Sequence, residues 1–194
     1  PVFTNVVFDT SQGHANVLYP HMFAWLDDVL EIIKSHPDTF FVIRAHPDEC
    51  RPGKQSRESV ADWVEDRRVL DLPNVLFVDA SEYFSSYELI QKSKFVIVYN
   101  STIGLEASLM GAPVLCAGRA RFTQLPTVFF PDSAGTFRRQ AVDFLESASI
   151  DVPAEFRRNA RRFLYYQLFR TSLPFDQFLQ EDGLWRGYVT FKPF

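Results

Sequence analysis

An apolar run ending in Tyr99-Asn100-Ser101-Thr102-Ile103-Gly104-Leu105-Glu106-Ala107 carries the densest set of groups able to hold an anion. The polar turn predicts a helix start, with Ser101 as the capping residue. The first amides of a helix lack internal acceptors, and the dipole leaves them electropositive. Phosphate suits such an arrangement. Asn100, Ser101 and Thr102 add an amide and two hydroxyls, and Gly104 has no side chain to obstruct a close ligand. Glu106, one turn on, can accept paired hydrogen bonds from ribose hydroxyls. An ordinary capped helix and a surface glutamate are the plain alternatives.

Arg44-Ala45-His46-Pro47-Asp48-Glu49 follows the apolar run Phe40–Ile43. Proline favours an extended backbone at the residue before it, so the His46 ring can project from the strand end. Beside a phosphate an imidazole donates a hydrogen bond, and protonated it offsets developing charge. His36-Pro37 has the same dipeptide at a helix end, where it reads as a helix stop. A third loop, Asp79 to Tyr87, carries Ser81, Ser85, Ser86 and Tyr87; its serines suit helix capping, and the loop lies where a base could be contacted. Ser11, Gln12 and Gly13 form a polar turn that can approach donor or acceptor, with Asp9 to orient it.

These loops need strands to position them. Val6–Phe8, Phe40–Ile43, Val75–Val78, Phe95–Tyr99, Val114–Cys116 and Val128–Phe130 are short runs, mostly apolar at successive positions. Strands covered on both faces have that pattern. Helical periodicity fills the gaps, over Met22–Ser35, Ser56–Arg67, Tyr87–Lys92, Thr102–Met110 and Phe137–Leu145. Such alternation predicts an α/β fold with a doubly wound parallel sheet. Ligands of these sheets sit beyond the carboxyl ends of the strands, where the polar loops fall.

The organisation expected is a ligand-binding domain over 1–150 and a helical tail over 151–194. Pro153–Thr171 reads as a helix with Arg157, Arg158, Arg161 and Arg162 on one side. That side is either a solvated basic face or a contact for an acidic surface or anionic lipid. The aromatic Pro174–Phe194 is expected to pack on the domain or on one missing from this chain. The opening at Pro1, without methionine, reads as part of something longer.

Composition narrows the function. A net charge of −4 provides no global basic field for nucleic acid. Two cysteines, Cys50 and Cys116, without a histidine cluster argue against zinc and against a disulfide scaffold, and point to a reducing cytoplasm. No run is long enough for a membrane helix. G-x-G-x-x-G after the first strand, G-x-x-x-x-G-K-[ST], H-E-x-x-H and G-x-S-x-G are all missing. Dehydrogenases, P-loop enzymes, zincins and serine-triad hydrolases therefore fall away. No Asp-x-Asp pair is present to hold a catalytic metal, so no metal or other cofactor is expected.

Arg44–Glu49, Ser85-Ser86-Tyr87-Glu88-Leu89-Ile90, Tyr99–Ala107 and Gly111-Ala112-Pro113-Val114 occur in that order, each of the first three after a strand-like run. In this the chain resembles bacterial capsule polysaccharide biosynthesis proteins, including Kdo transferases with the GT-B fold. The likeness extends from Val6 to Gly118, and more loosely along the tail. It implies a Rossmann-like C-terminal donor-binding half, facing an N-terminal acceptor domain that this chain lacks. The pattern is also similar to bacterial sialyltransferases in which a His-Pro and a Ser-Ser/Thr motif contact CMP. His46, Ser101 and Thr102 would then hold the phosphate, with Arg44 and Pro47 beside them. Ser85, Ser86, Asn100 and Gly104 would complete the nucleotide site, Glu106 would approach the ribose, and Ser11 and Gly13 would meet substrate.

The implied reaction is metal-independent transfer of Kdo or a similar acidic sugar from a CMP-sugar to a polysaccharide or glycolipid acceptor. His46 stabilises the leaving phosphate, and the general base lies outside this chain. The implied setting is cytoplasmic, with room for peripheral association at the inner membrane. CDP-alditol phosphotransfer, UDP-sugar epimerisation and non-catalytic nucleotide-sugar binding are the alternatives.

Overall fold

Val2 and Phe3 form the first strand, and Val6 and Val7 join none, while Phe8 lies outside the described residues. The computed structural model describes residues 1–7, 14–51, 57–172, 174–183 and 188–193. In it β1 (Val2–Phe3) pairs in parallel with β2 (Phe41–Arg44) on one side and β4 (Val96–Val98) on the other. The chain leaves the sheet at Thr4, whose amide and hydroxyl both donate to the Arg44 carbonyl. Asn5 follows, with its side-chain oxygen accepting from the Asn100 amide. These buried polar partners end β1 early, and Val6 contributes burial without pairing.

β3 (Val75–Val78) and β5 (Val114–Cys116) complete a five-stranded parallel sheet in the order β3-β2-β1-β4-β5. The run Val128–Phe130 is not a sixth strand. It is reduced to one parallel bridge between Phe129 and Leu115. β4 inside the sheet and the edge strand β5, flanked by the Phe129 bridge, are buried at every residue, whereas the other edge strand, β3, leaves Leu76 exposed. Phe40, outside β2, is exposed too.

Helices cover both faces. α1 (Met22–Ser35) and α5 (Ala134–Glu146) lie against each other, and their apolar sides join Val2, Ile43, Ile97 and Leu115 in one core. Alternate strand residues face the other way, towards α4 (Ile103–Met110), which packs on β4 and β5. α2 (Val60–Asp66) starts at a capping box between Ser59 and Asp62. α3 (Ser86–Gln91) is capped by Ser85. Parallel strands linked by helices on both faces make a Rossmann-like fold.

Two compact units divide the chain, Pro1–Ala160 and Arg161–Phe194. The division falls inside α6 (Ala154–Phe169), because Phe156 and Ala160 are buried in the first unit, with Phe156 edge-on to Phe129. The second unit holds the rest of α6 and an antiparallel pair, β6 (Leu179–Glu181) with β7 (Val189–Phe191). Weak periodicity in Pro174–Phe194 concealed that hairpin. No described helix is long and apolar enough to cross a membrane.

Candidate functional site

The strand order reverses between β1 and β4, since β1 leads leftward to β2 and β4 leads rightward to β5. Loops diverge there and leave a crevice at the carboxyl ends. A cleft of about 160 Å³ occupies this position. It is lined by Phe3 and Thr4 at the end of β1, Arg44 to Pro47 at the end of β2, Ser86 from α3, and Ser101, Thr102, Ile103 and Glu106 after β4. The cleft thus gathers Arg44, His46, Pro47, Ser86, Ser101, Thr102 and Glu106 from four separate segments. Thr4 escapes a reading that starts the first strand at Val6. The signal was present in Val2-Phe3 followed by the polar pair Thr4-Asn5.

The start of α4 differs in detail from the capped turn expected. Thr102, in helical conformation, occupies the cap position and makes no side-chain capping bond, so Ser101 is not the cap. The Gly104 amide donates to the Ser101 carbonyl, and those of Leu105 and Glu106 donate to Thr102. The Thr102 and Ile103 amides reach no backbone carbonyl among the described residues. The hydroxyls of Ser101 and Thr102 likewise have no protein partner among them. Two amides and two hydroxyls at one helix start make a donor-rich, electropositive corner.

His46 precedes a 3₁₀ turn, Pro47–Cys50, and its Nδ1 accepts from the Asp48 amide at 3.1 Å. Acceptance at Nδ1 places the proton of the neutral ring on Nε2, which becomes the donor. The ring is half-buried. His36 ends α1, with its ring 2.8 Å from the Ile32 carbonyl. It is half-buried there.

Arg44 belongs to β2 itself, and its guanidinium is largely committed. Nη1 donates to the carbonyls of Ala45 and Asp79, and Nη2 donates to that of Glu82. It therefore ties the loop after β3 to the cleft floor instead of offering its whole fork to a ligand. Three other expected contacts are redirected. The Ser85 hydroxyl caps α3 through the Glu88 amide. Asn100 donates to the Arg119 carbonyl and does not line the cleft. The bare face of Gly104 points inward, where a Cβ would lie 3.0 Å from Val98 Cγ2 and 3.4 Å from Phe122 Cζ. Its missing side chain makes room for the sheet, not for a ligand. Ser11, Gly13 and their neighbours Asp9 and Gln12 lie outside the described residues.

Two acid–base features arise only from the folded arrangement. The Tyr87 hydroxyl donates to Glu106 Oε2, and that bond holds the phenol above its usual range. Glu49 is pushed up to about 7 by burial, a shift opposed by the Val60 amide and increased by Asp79 and Asp62. No group of three or more His, Cys, Asp or Glu among the described residues is arranged to hold a metal.

The family model for capsule polysaccharide biosynthesis proteins matches residues 2–126. The chain belongs to that family. Its matched span covers β1 to β5 and every segment that lines the cleft. Membership gives this capsule-synthesis protein a role in making capsule polysaccharide, hence polysaccharide-related substrates. Neither a curated protein nor a solved structure is significantly similar to it.

Proposed function

We propose that this chain is the donor-binding half of a capsule glycosyltransferase that takes an acidic sugar such as Kdo from its CMP-activated form. The observation that carries the reading is the convergence of His46, Ser86, Ser101, Thr102 and Glu106 on one cleft at the switch point of the sheet. The electropositive corner at Thr102 and Ile103 suits a phosphate monoester. Glu106 suits ribose hydroxyls.

In the reaction, an acceptor hydroxyl forms the new C–O bond at the anomeric carbon. The bond from that carbon to the CMP phosphate oxygen breaks, and its electrons leave with CMP. The hydroxyl proton passes to a base outside this chain. Here His46 Nε2–H and the α4 amides stabilise the departing phosphate. Loss of one such donor commonly costs on the order of 10²–10³ in turnover. The contacts are hydrogen bonds and helix amides, so no divalent metal is required.

Calorimetry with CMP, CDP, UDP and GDP, each in excess chelator, tests the proposal. CMP should bind most tightly, with affinity unchanged by magnesium. Tighter binding of UDP, or affinity restored only by metal, would overturn it.

A further inference from the structure

The two edges of the sheet end differently. At β5 the outer side is taken, since the Cys116 amide donates to the Phe129 carbonyl and the Phe129 amide to that of Val114. At β3 it is open. The Phe41 and Ala45 amides donate to the carbonyls of Asn74 and Val78. By the alternation of a parallel ladder, Asn74, Leu76 and Val78 therefore turn their backbone groups to β2. Val75 and Phe77 turn theirs outward, where neither amide nor carbonyl finds a partner among the described residues. The open stretch stops there at both ends. Pro73 has no amide hydrogen, and Asp79 gives its amide to Glu82 Oε2 and its carbonyl to Arg44 Nη1. Sheet edges are ordinarily blunted by charge or proline. Val75–Val78 carries neither. Leu76 is 44% exposed beside half-buried Val42, and Phe40, next before β2, is 64% exposed.

From this we infer that two copies of the chain pair antiparallel through β3, about a two-fold axis at Leu76. In that register Val75 lies opposite Phe77 of the partner subunit, and each such pair exchanges two hydrogen bonds. Four bonds then close all four open groups of each copy. A shift of two residues does not. It sets Phe77 against Pro73, leaving the Phe77 carbonyl open, or Val75 against Asp79, leaving both groups of Val75 open. Leu76 meets its own copy as a pair without hydrogen bonds, the kind whose side chains come closest. The exposed leucine is thereby covered by another. A longer strand from a different protein would leave its own groups unpaired beyond Val75 and Phe77, whereas β3 matches itself in length and register. This inference is independent of the nucleotide reading, because none of Val75, Leu76 and Phe77 lines the cleft.

The test is sedimentation equilibrium of the full chain, joined to crosslinking through an introduced thiol. The parent should sediment as a dimer that dissociates on dilution. Leu76→Lys sets like charges directly opposite each other and removes two leucines from the contact. It should weaken association more than about tenfold, with the circular dichroism of the parent. Cys50 is exposed and Cys116 buried, so crosslinking is read in a Cys50→Ser background. There Leu76→Cys should give a disulfide-linked dimer on mild oxidation, because Cα atoms of such a pair stand about 4.5 Å apart, within disulfide reach. Leu70→Cys, exposed but off the strand, should remain uncrosslinked. The inference is overturned if the folded parent is a monomer. It is overturned equally if the dimer survives Leu76→Lys, or if Leu76→Cys crosslinks no better than Leu70→Cys, which would put the contact on another surface.

Discussion

The Tyr87 hydroxyl donates to Glu106 Oε2, joining the start of α3 to the first turn of α4 beside the cleft. These residues are far apart in sequence, and the pair fixes one carboxylate oxygen while leaving the other for a ligand. If Glu106 receives ribose hydroxyls, Tyr87 sets its orientation. Tyr87→Phe should weaken CMP binding about threefold to tenfold, and Glu106→Gln should weaken it more. Neither should weaken inorganic phosphate, which engages only the helix start. Calorimetry with both ligands separates the effects. Equal losses for phosphate would remove Glu106 from the ribose.

His46 Nδ1 caps the 3₁₀ turn, and in the proposed function its Nε2–H donates to the phosphate. His46→Ala removes both, and should lower the melting temperature slightly while reducing CMP affinity tenfold or more. His46→Asn supplies a capping oxygen on a shorter side chain. It should restore the melting temperature and leave affinity low. His36→Ala loses only ring contacts to the Ile32 carbonyl and the Ser35 hydroxyl at the end of α1, and should leave CMP binding intact. Should His46→Asn bind CMP normally, the ring is a cap and nothing more.

Most strands and helices, and the cleft at the strands' carboxyl ends, were legible because buried parallel strands are continuous apolar runs and their polar ends stand out. α1 has the bounds its periodicity predicts, and Val114–Cys116 is β5. Tertiary bonding was not legible. Arg44 reads as a phosphate ligand, yet the carbonyls of Asp79 and Glu82, some 35 residues away, take its donors. Gly104 reads as clearance for a ligand because a sequence does not say which way its bare face points. Val6 and Val7 have the hydrophobicity of a strand, but the pairing ends where Thr4 and Asn5 find their partners.

Glu49 predicts an unusual pH dependence. Its carboxyl is raised from the ordinary 4.5 to about 7, chiefly by burial. The folded chain therefore holds this proton more tightly than the unfolded one. Stability from this group is fully present below about pH 4.5, falls as pH rises towards 7, and is flat above. Asp27 and Asp79, held low by Arg67 and Ser81, act in the opposite sense at more acid pH. Glu49→Gln should be more stable than the parent at pH 8, by about 1 kcal/mol after allowance for solvent screening. That difference should vanish by pH 4.5. Parallel melting curves across the range would show that Glu49 ionises as freely in the folded chain as in the unfolded one.

Gly104→Ala distinguishes the two uses of a bare helix position. Alanine favours a helix interior over glycine by about 1 kcal/mol, so an open site would be stabilised. Here the new methyl meets Val98 Cγ2 at 3.0 Å and Phe122 Cζ at 3.4 Å, and both side chains are fully packed. Overpacking of this kind costs about 1–3 kcal/mol, which outweighs the gain in propensity. The expected outcome is a lower melting temperature with CMP affinity unchanged in the folded protein. Leu105→Ala in the same helix is the control for lost packing, since Leu105 is buried and lies outside the cleft lining. A Gly104→Ala protein that melts like the parent but no longer binds CMP would return Gly104 to the ligand.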